Sequence, residues 1–287
     1  SQIFFSLSIA FGIMITYSSY LRRKANLTTT GLVVGFANSS FELLAGIGVF
    51  ATLGFMASQA GVPLAELGSI KGIGLAFVAF PQILSTMPGG PVFGVLFFGS
   101  LALAGMTSLI SILQVVSAAF QEKLGLTVRQ AAVFIGGLAA LISILLFSTT
   151  TAVPLLDTVD DYVNNVGIVL SAVVMCLLVG LVLRRLTELQ GHLNARVGVT
   201  VGAWWKVLVA AVVPVVLGYM LISHAVDLIT EGYGDYPTWF LTAFGWGSIA
   251  LSVLAAVVFV VVPWRHSADD FVADALPELA TTERRSA

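Results

Sequence analysis

A single carboxylate lies within the apolar segment LVVGFANSSFELLAGIGVF, residues 32–50. Glu42 is the only ionisable residue between Lys24 and Glu66. By insertion scales, an acid near the centre of a spanning helix costs about 2.5–3.5 kcal/mol. A cation about 5 Å away, at an effective dielectric constant near 20, would return roughly 3 kcal/mol. Glu42 therefore predicts a bound cation nearby, with a protonated carboxyl in an interhelical hydrogen bond as the alternative.

The neighbours of Glu42 are also polar. Asn38 precedes it by four residues, so the two side chains share one face if the segment is helical. Amide and carboxylate oxygens are ligands for small, hard cations. Asn38, Ser39 and Ser40 would equally serve as polar contacts between membrane helices, and the residues alone leave both interpretations open.

Two adjacent hydroxyls interrupt a second apolar segment, LALAGMTSLISILQ, residues 101–114. Thr107 and Ser108 follow Ala104 by three and four residues. Such hydroxyls usually bond to carbonyls of the preceding helical turn, and from the residues alone we favour that role. A hydroxyl pair beside a free carbonyl would also suit sodium.

The opening segment, SQIFFSLSIAFGIMITYSSYL, mixes small residues with aromatic ones. Ser6, Ser8, Ala10 and Gly12 lie among phenylalanines. This composition permits an unwound helix whose free backbone groups hold a charged substrate. Small residues at helix contacts explain it almost equally well.

The composition indicates where these segments lie. Of 287 residues, 58% are hydrophobic and 10% charged, whereas soluble domains carry about a quarter charged residues. Several apolar runs exceed the ~18 residues of a spanning helix, so we predict an all-α, polytopic helical membrane protein. A lone Cys176 excludes an internal disulfide framework, and three scattered histidines predict no metal cluster. No nucleophile–base pair or organic cofactor motif is present, so an enzyme is not expected.

Seven spans are predicted, at 1–20, 29–58, 91–120, 130–150, 162–183, 203–223 and 239–263. The apolar stretch 72–90 contains Pro81, Pro88 and a glycine pair, so we expect an extracellular helical hairpin over about 60–90. With that arrangement the basic residues after spans 1, 3, 5 and 7 lie on one side, which predicts cytoplasmic loops there. On the opposite side of the membrane, Lys71 is the only lysine or arginine of the predicted loops. Residues 264–287 are predicted to be a polar cytoplasmic tail.

Four stretches together resemble the neurotransmitter:sodium symporter family, most closely its bacterial amino-acid transporter branch. They are QIFFSLSIAFGIMITYSSYL, GFANSSFE, GLAFVAFPQIL with MPGG, and ALAGMTSLISILQ. The resemblance runs from the sixth to the twelfth family helix. It implies the second half of a leucine-transporter-type inverted repeat: residues 1–185 as helices 6–10, and 186–263 as helices 11 and 12. Since the chain starts without Met inside an apolar run, we expect a longer protein whose helices 1–5 complete the sites.

The resemblance implies two sodium sites. Ser6 and Asn38 match side-chain ligands of the first sodium ion. The Ala104 carbonyl and the hydroxyls of Thr107 and Ser108 match the second site. On this basis the ligand role replaces our preference for back-bonding at Thr107 and Ser108.

A substrate pocket is implied by the same resemblance. Phe5 matches an aromatic lid over the substrate, while Ser6 and Ser8 match the unwound stretch that holds its amino group. Phe11 and Ile112 match the pocket wall. The full set of implied substrate-binding residues is Phe5, Ser6, Ser8, Phe11, Ser108 and Ile112.

The resemblance also gives Glu42 a role. Chloride-dependent family members carry Ser at this position, next to the first sodium. Glu42 is therefore implied to be a carboxylate that replaces chloride, with Gln2 and Ser6 beside it. The family also suggests that this acid takes up a proton on the empty return step.

Charged residues match the two gates of the family. Asp160 matches the outer gate, with Asp157 and Asp161 as alternative counterparts in the same predicted loop. Glu122 matches the inner gate. Two further residues match its neighbours: Ser19 and Tyr20.

The sequence thus predicts a plasma-membrane, sodium-coupled symporter of amino acids or related small amines, working by alternating access without chloride. We expect sodium as the only cofactor, lipid and a small substrate as partners, a possible homodimer, and no nucleic acid. Alternatives are a channel-like or non-transporting membrane protein on the same scaffold, or an inactive truncated fragment. The identity of the amino acid, the sodium stoichiometry and proton antiport stay open.

Overall fold

The computed structural model describes residues 3, 6–21, 25–61, 77, 80–195 and 199–264. All regular secondary structure in these ranges is helical, which confirms the all-α prediction. Among the predicted features, Gln2, Phe5, Lys71 and the tail from residue 265 lie outside the described residues.

The helices follow one another with short connections, except where the description is interrupted. In chain order they are α1 Ile13–Ser19, α2 Leu27–Ala60, α3 Phe80–Thr86, α4 Gly90–Leu124, α5 Val128–Phe147, α6 Ala152–Val182, α7 Leu186–Asn194, α8 Ala203–Thr230 and α9 Thr238–Val261.

Six of these helices are long and apolar enough to cross a membrane: α2, α4, α5, α6, α8 and α9. They correspond to the second through seventh predicted spans. The start of α6 differs from the prediction, because the helix begins at Ala152 and not near residue 162. Three aspartates that we expected in a loop, Asp157, Asp160 and Asp161, therefore belong to the first turns of a helix.

The first predicted span is interrupted. Residues 7–12 form turns and bends, and α1 begins only at Ile13. Ser8, Ala10 and Gly12 have φ angles of 52°, 65° and 79°. Residues with a Cβ rarely adopt this left-handed conformation, which costs roughly 1–2 kcal/mol each. The small residues left two interpretations open, an unwound helix and close helix contacts, and the structure shows the unwound form.

Local sequence explains several helix boundaries. Thr127 and Gln130 form a capping box at the start of α5: the Gln130 N–H donates to Thr127 Oγ1 at 3.3 Å, and the Thr127 N–H donates to Gln130 Oε1 at 3.1 Å. In α8, Pro214 follows a π-helical turn, Leu208–Val212. Proline lacks an N–H for the regular ladder, which accounts for the wide turn there.

The chain divides into two compact units. The first comprises residues 1–31 and 112–287, and the second comprises residues 32–111. In the first unit, α6, α8 and α9 meet around a buried cluster centred on Tyr162, which is fully buried and packs edge-on against Trp246. A Cβ at Gly245 would lie 2.6 Å from the Tyr162 ring, so only glycine allows this contact.

In the second unit, the described part of the predicted hairpin is α3 with the turn that follows it. Phe80 stacks on Phe97 of α4 with ring centroids 4.6 Å apart. Gly89 has a φ angle of 76°, and a Cβ on Gly90 would lie on the Leu84 carbonyl oxygen. The glycine pair is thus required by the sharp return from α3 into α4.

Candidate functional site

Asn38 and Glu42 lie on one face of α2, as predicted. Asn38 Nδ2 donates a hydrogen bond to Glu42 Oε1 over 2.8 Å, and both residues are half-buried. Because the amide nitrogen is directed at the carboxylate, the amide oxygen is the Asn38 atom suited to bind a cation. The pair combines a hard oxygen donor with a compensating negative charge.

Ala104 and Thr107 lie together on α4. Thr107 Oγ1 donates to the Ala104 carbonyl over 2.9 Å, and Ser111 Oγ donates to the Thr107 carbonyl over 3.0 Å. Thr107 therefore forms the back-bond that we favoured from the residues alone. The two oxygens are close enough to contact one cation if the hydroxyl proton turns away, so the donor set fits sodium.

The unwound stretch is held by helices of the first unit. Ala10 packs against a buried cluster formed by Val169, Ala172 and Leu217. Ser171 Oγ on α6 donates to the Ile168 carbonyl at 2.9 Å and lies 3.4 Å from the Ala10 carbonyl. α6 and α8 therefore position the backbone that carries Ser6, Ser8 and Phe11.

The predicted sodium and substrate residues divide between the two units. Asn38, Glu42, Ala104, Thr107 and Ser108 belong to the second unit. Residues of the first unit are Ser6, Ser8, Phe11 and Ile112. The described contacts join Asn38 to Glu42 and Ala104 to Thr107.

The predicted inner-gate residues lie at the end of α1 and near the end of α4. Tyr20 OH accepts a hydrogen bond from Gln114 Nε2 over 2.9 Å. Ser19 Oγ donates to the Thr16 carbonyl, and Glu122 is exposed. We did not single out Gln114 from the sequence, although an amide among apolar residues of a helix was a usable signal.

The three aspartates of α6 have different partners. Asp160 Oδ1 accepts a hydrogen bond from Asn164 Nδ2, and Asp161 Oδ1 accepts one from Asn165 Nδ2, both at 2.7 Å. Asp161 Oδ2 also lies 3.1 Å from His224 Nε2 on α8. These contacts explain how a helix accommodates the acids, since each i, i+4 amide satisfies a carboxylate oxygen.

Asp157 is close to the loop between α8 and α9. Burial raises the pKa of the Tyr233 hydroxyl, and the Asp157 and Asp161 carboxylates raise it further. Tyr233 therefore stays protonated and can donate a hydrogen bond to Asp157. The acids of α6 thus belong to a network with α8 and its following loop, which the sequence did not reveal.

The fold and these polar groups define a class: a polytopic helical membrane protein with an interrupted first segment and an acid within a spanning helix. Interrupted helices and intramembrane acids are typical of secondary transporters. A family model confirms this assignment. Residues 1–267 match the sodium:neurotransmitter symporter family, and the chain belongs to that family. Its members are symporters and not enzymes, as the sequence predicted.

Individual relatives agree with the family match. A sodium-dependent transporter of Methanocaldococcus jannaschii is 36% identical over 259 residues, which cover 90% of this chain and 52% of that protein. The sodium- and chloride-dependent glycine transporter 2 of Xenopus laevis is 28% identical, with coverages of 91% and 33%.

The Homo sapiens sodium- and chloride-dependent neutral and basic amino acid transporter B(0+) is 26% identical over 272 residues, with coverages of 91% and 42%. The chain thus spans about half the length, or less, of these three relatives.

Proposed function

We propose that this chain forms part of a sodium-coupled symporter of amino acids or related small amines, working by alternating access in the plasma membrane. The Asn38–Glu42 pair carries this proposal. A carboxylate bonded to a side chain with a cation-binding oxygen, inside a spanning helix, is best explained by a bound cation. Family membership and the sodium-dependent relatives support sodium as that cation.

The first sodium ion would be bound by Asn38 and Ser6, with Glu42 providing the compensating charge. The second would be bound by the Ala104 carbonyl, Thr107 and Ser108. Family helices 1–5 of the complete protein would supply the other ligands.

The substrate would bind against the unwound stretch. Ser8 and Ala10 turn the backbone away from the helical ladder, so its carbonyls can accept hydrogen bonds from an amino group. Phe5, Ser6, Phe11, Ser108 and Ile112 would complete this chain's side of the pocket. Relatives described as transporters of glycine and of neutral and basic amino acids support an amino-acid substrate.

Asp160 is our choice for the outer gate among the three aspartates of α6. Asp161 already lies 3.1 Å from His224 Nε2, and Asp157 raises the pKa of Tyr233, whereas Asp160 is exposed and, within the described ranges, has its hydrogen bond to its own helix neighbour, Asn164. Glu122 would form the inner gate, with Ser19 and Tyr20 beside it. On the predicted orientation, the loops after spans 1, 3, 5 and 7 are cytoplasmic. A homodimer is part of the proposal.

Chloride independence rests on Glu42 alone, since two of the relatives are described as chloride-dependent. The negative charge of Glu42 would balance the charge of the bound sodium permanently, as a bound chloride would in a chloride-dependent transporter. The test is amino-acid uptake by the complete protein in liposomes, with an inward sodium gradient and chloride replaced by gluconate. We expect uptake that requires sodium and persists in gluconate. Uptake that needs chloride would contradict the role of Glu42, and no sodium-driven uptake of any amino acid would contradict the symporter itself.

A further inference from the structure

A buried lysine of the first unit lies where the spanning helices α4 and α9 end. Lys123 is in the last turn of α4 and is 1% exposed. Its Nζ lies 4.6 Å from the centre of the Phe259 ring on α9 and 4.5 Å from the centre of the Trp264 ring. Within the part of the chain that the structure describes, Nζ has no hydrogen-bond partner.

This environment leaves the ammonium incompletely satisfied. Two aromatic faces attract a cation, but they supply no oxygen acceptor for its three N–H donors. A buried charge without hydrogen bonds is strongly unfavourable. The missing group must supply oxygen acceptors, and an anion would also balance the charge.

An apolar groove begins at the same lysine. Its volume is about 530 Å³, and its lining is Ala119, Phe120, Lys123, Leu124, Ala255, Ala256, Val258, Phe259 and Val262. From Ala255 to Val262, at 1.5 Å per residue, it follows α9 for about 10 Å into the span. Among the residues that the structure describes, Lys123 is the only charged one that lines it.

We propose that this groove binds an anionic phospholipid, with an acyl chain along α9 and the phosphate at the Lys123 ammonium. The flexible lysine stem would turn Nζ from the rings toward a phosphate at the end of the spans, where lipid headgroups lie. A free phosphate would leave the apolar lining empty. A peptide would bring unsatisfied backbone groups into the membrane, so a lipid fits the groove best.

The test uses the complete protein in nanodiscs of phosphatidylcholine to which phosphatidylglycerol is added. Native mass spectrometry counts the retained phosphatidylglycerol, and brominated phosphatidylglycerol reports proximity by quenching Trp264, with Trp264→Phe as the baseline. We expect Lys123→Met to weaken retention about tenfold, the loss of one charge-assisted hydrogen bond, and Lys123→Arg to keep most of it.

Two further variants separate this proposal from simpler effects. Ala255→Leu fills the groove without changing charge, and it should also weaken retention, even if Lys123→Met fails to fold. Arg129→Gln removes an exposed cation from the first turn of α5 and should behave like the unchanged protein.

Several results would overturn the proposal. Equal retention in the unchanged protein, Lys123→Met and Ala255→Leu would make Lys123 a purely structural contact of α4 with α9. Equal quenching by brominated phosphatidylcholine would remove the requirement for an anion. Displacement of phosphatidylglycerol by millimolar inorganic phosphate, without an effect of Ala255→Leu, would indicate a simple anion site.

Discussion

The unwound stretch 7–12 and helix α2 present polar groups in different ways: the first through its backbone and the second through its side chains. In the unwound stretch the backbone itself is irregular, with three left-handed residues, and the helical ladder resumes only at the Gly12 carbonyl, which accepts from the Thr16 N–H over 2.9 Å. In α2 the helix is continuous from Leu27 to Ala60, and the chemistry comes from the side chains of Asn38 and Glu42. Under the proposed function, the irregular backbone contributes to the substrate site, while the side chains of Asn38 and Glu42 on a regular helix contribute to the first sodium site.

The largest expected effect comes from a glycine-to-alanine substitution in the unwound stretch, which is compared with the same substitution in α2. Gly12→Ala places a Cβ at a φ angle of 79°, 3.0 Å from Val115 Cγ1, so we expect a cost of roughly 1–2 kcal/mol. The strain falls on the protein backbone that is proposed to bind the substrate. Uptake should therefore fall about tenfold, a change of roughly 1.4 kcal/mol. Sodium-gradient uptake and thermal unfolding of the complete protein measure both effects.

Gly54→Ala is the matched control in α2. Gly54 is helical, and its Cβ would meet nothing within 4 Å. Alanine should therefore stabilise this helix by up to about 1 kcal/mol and leave uptake unchanged. Equal effects of the two substitutions would break the comparison between a strained and a regular region.

A smaller effect is expected at Thr107. Thr107→Val removes the hydroxyl but keeps the shape, and Ser100→Ala removes a comparable back-bond to Phe97 on the same helix. If Thr107 binds sodium, only Thr107→Val should raise the half-saturating sodium concentration, by roughly threefold to tenfold, about 0.7–1.4 kcal/mol. Identical sodium dependence of the two variants would mean that Thr107 forms only its back-bond and does not bind sodium.

The smallest effect is expected at Ser171, which approaches the unwound stretch from α6. Ser171→Ala loses the bond to Ile168 and the longer contact with the Ala10 carbonyl. We expect a loss of about 1 kcal/mol or less in unfolding free energy and a modest rise in the substrate concentration for half-maximal uptake. Ser252→Ala on α9, which also loses a back-bond, is the control and should leave substrate dependence unchanged. The same substrate dependence in both variants would deny Ser171 a role in positioning Ala10.

Hydropathy and local spacing were sufficient to predict the second to seventh spans and the shared face of Asn38 and Glu42, but the composition of the opening segment left open whether it is unwound. Each of these depends on residues close in sequence. The early start of α6 was missed because Asp157, Asp160 and Asp161 are polar, and the bonds of Asp160 and Asp161 to Asn164 and Asn165 were not anticipated.

Other features depend on contacts between distant segments and could not be predicted. The Lys123 environment requires α4 to meet α9, and His224 meets Asp161 only because α8 packs on α6. The Tyr162 ring packs against Gly245, where a side chain would clash with it. No pattern within a single segment encodes such pairs.

The most direct test of Glu42 as a built-in counter-charge is Glu42→Ser in the complete protein, assayed for sodium-driven uptake with and without chloride. We predict that the unchanged protein transports equally in both conditions, and that Glu42→Ser requires chloride. Glu188→Gln, which removes an exposed carboxylate outside the predicted spans, should resemble the unchanged protein. If Glu42→Ser transports equally well without chloride, the carboxylate is not the counter-charge of the sodium site, and the account of this helix is wrong.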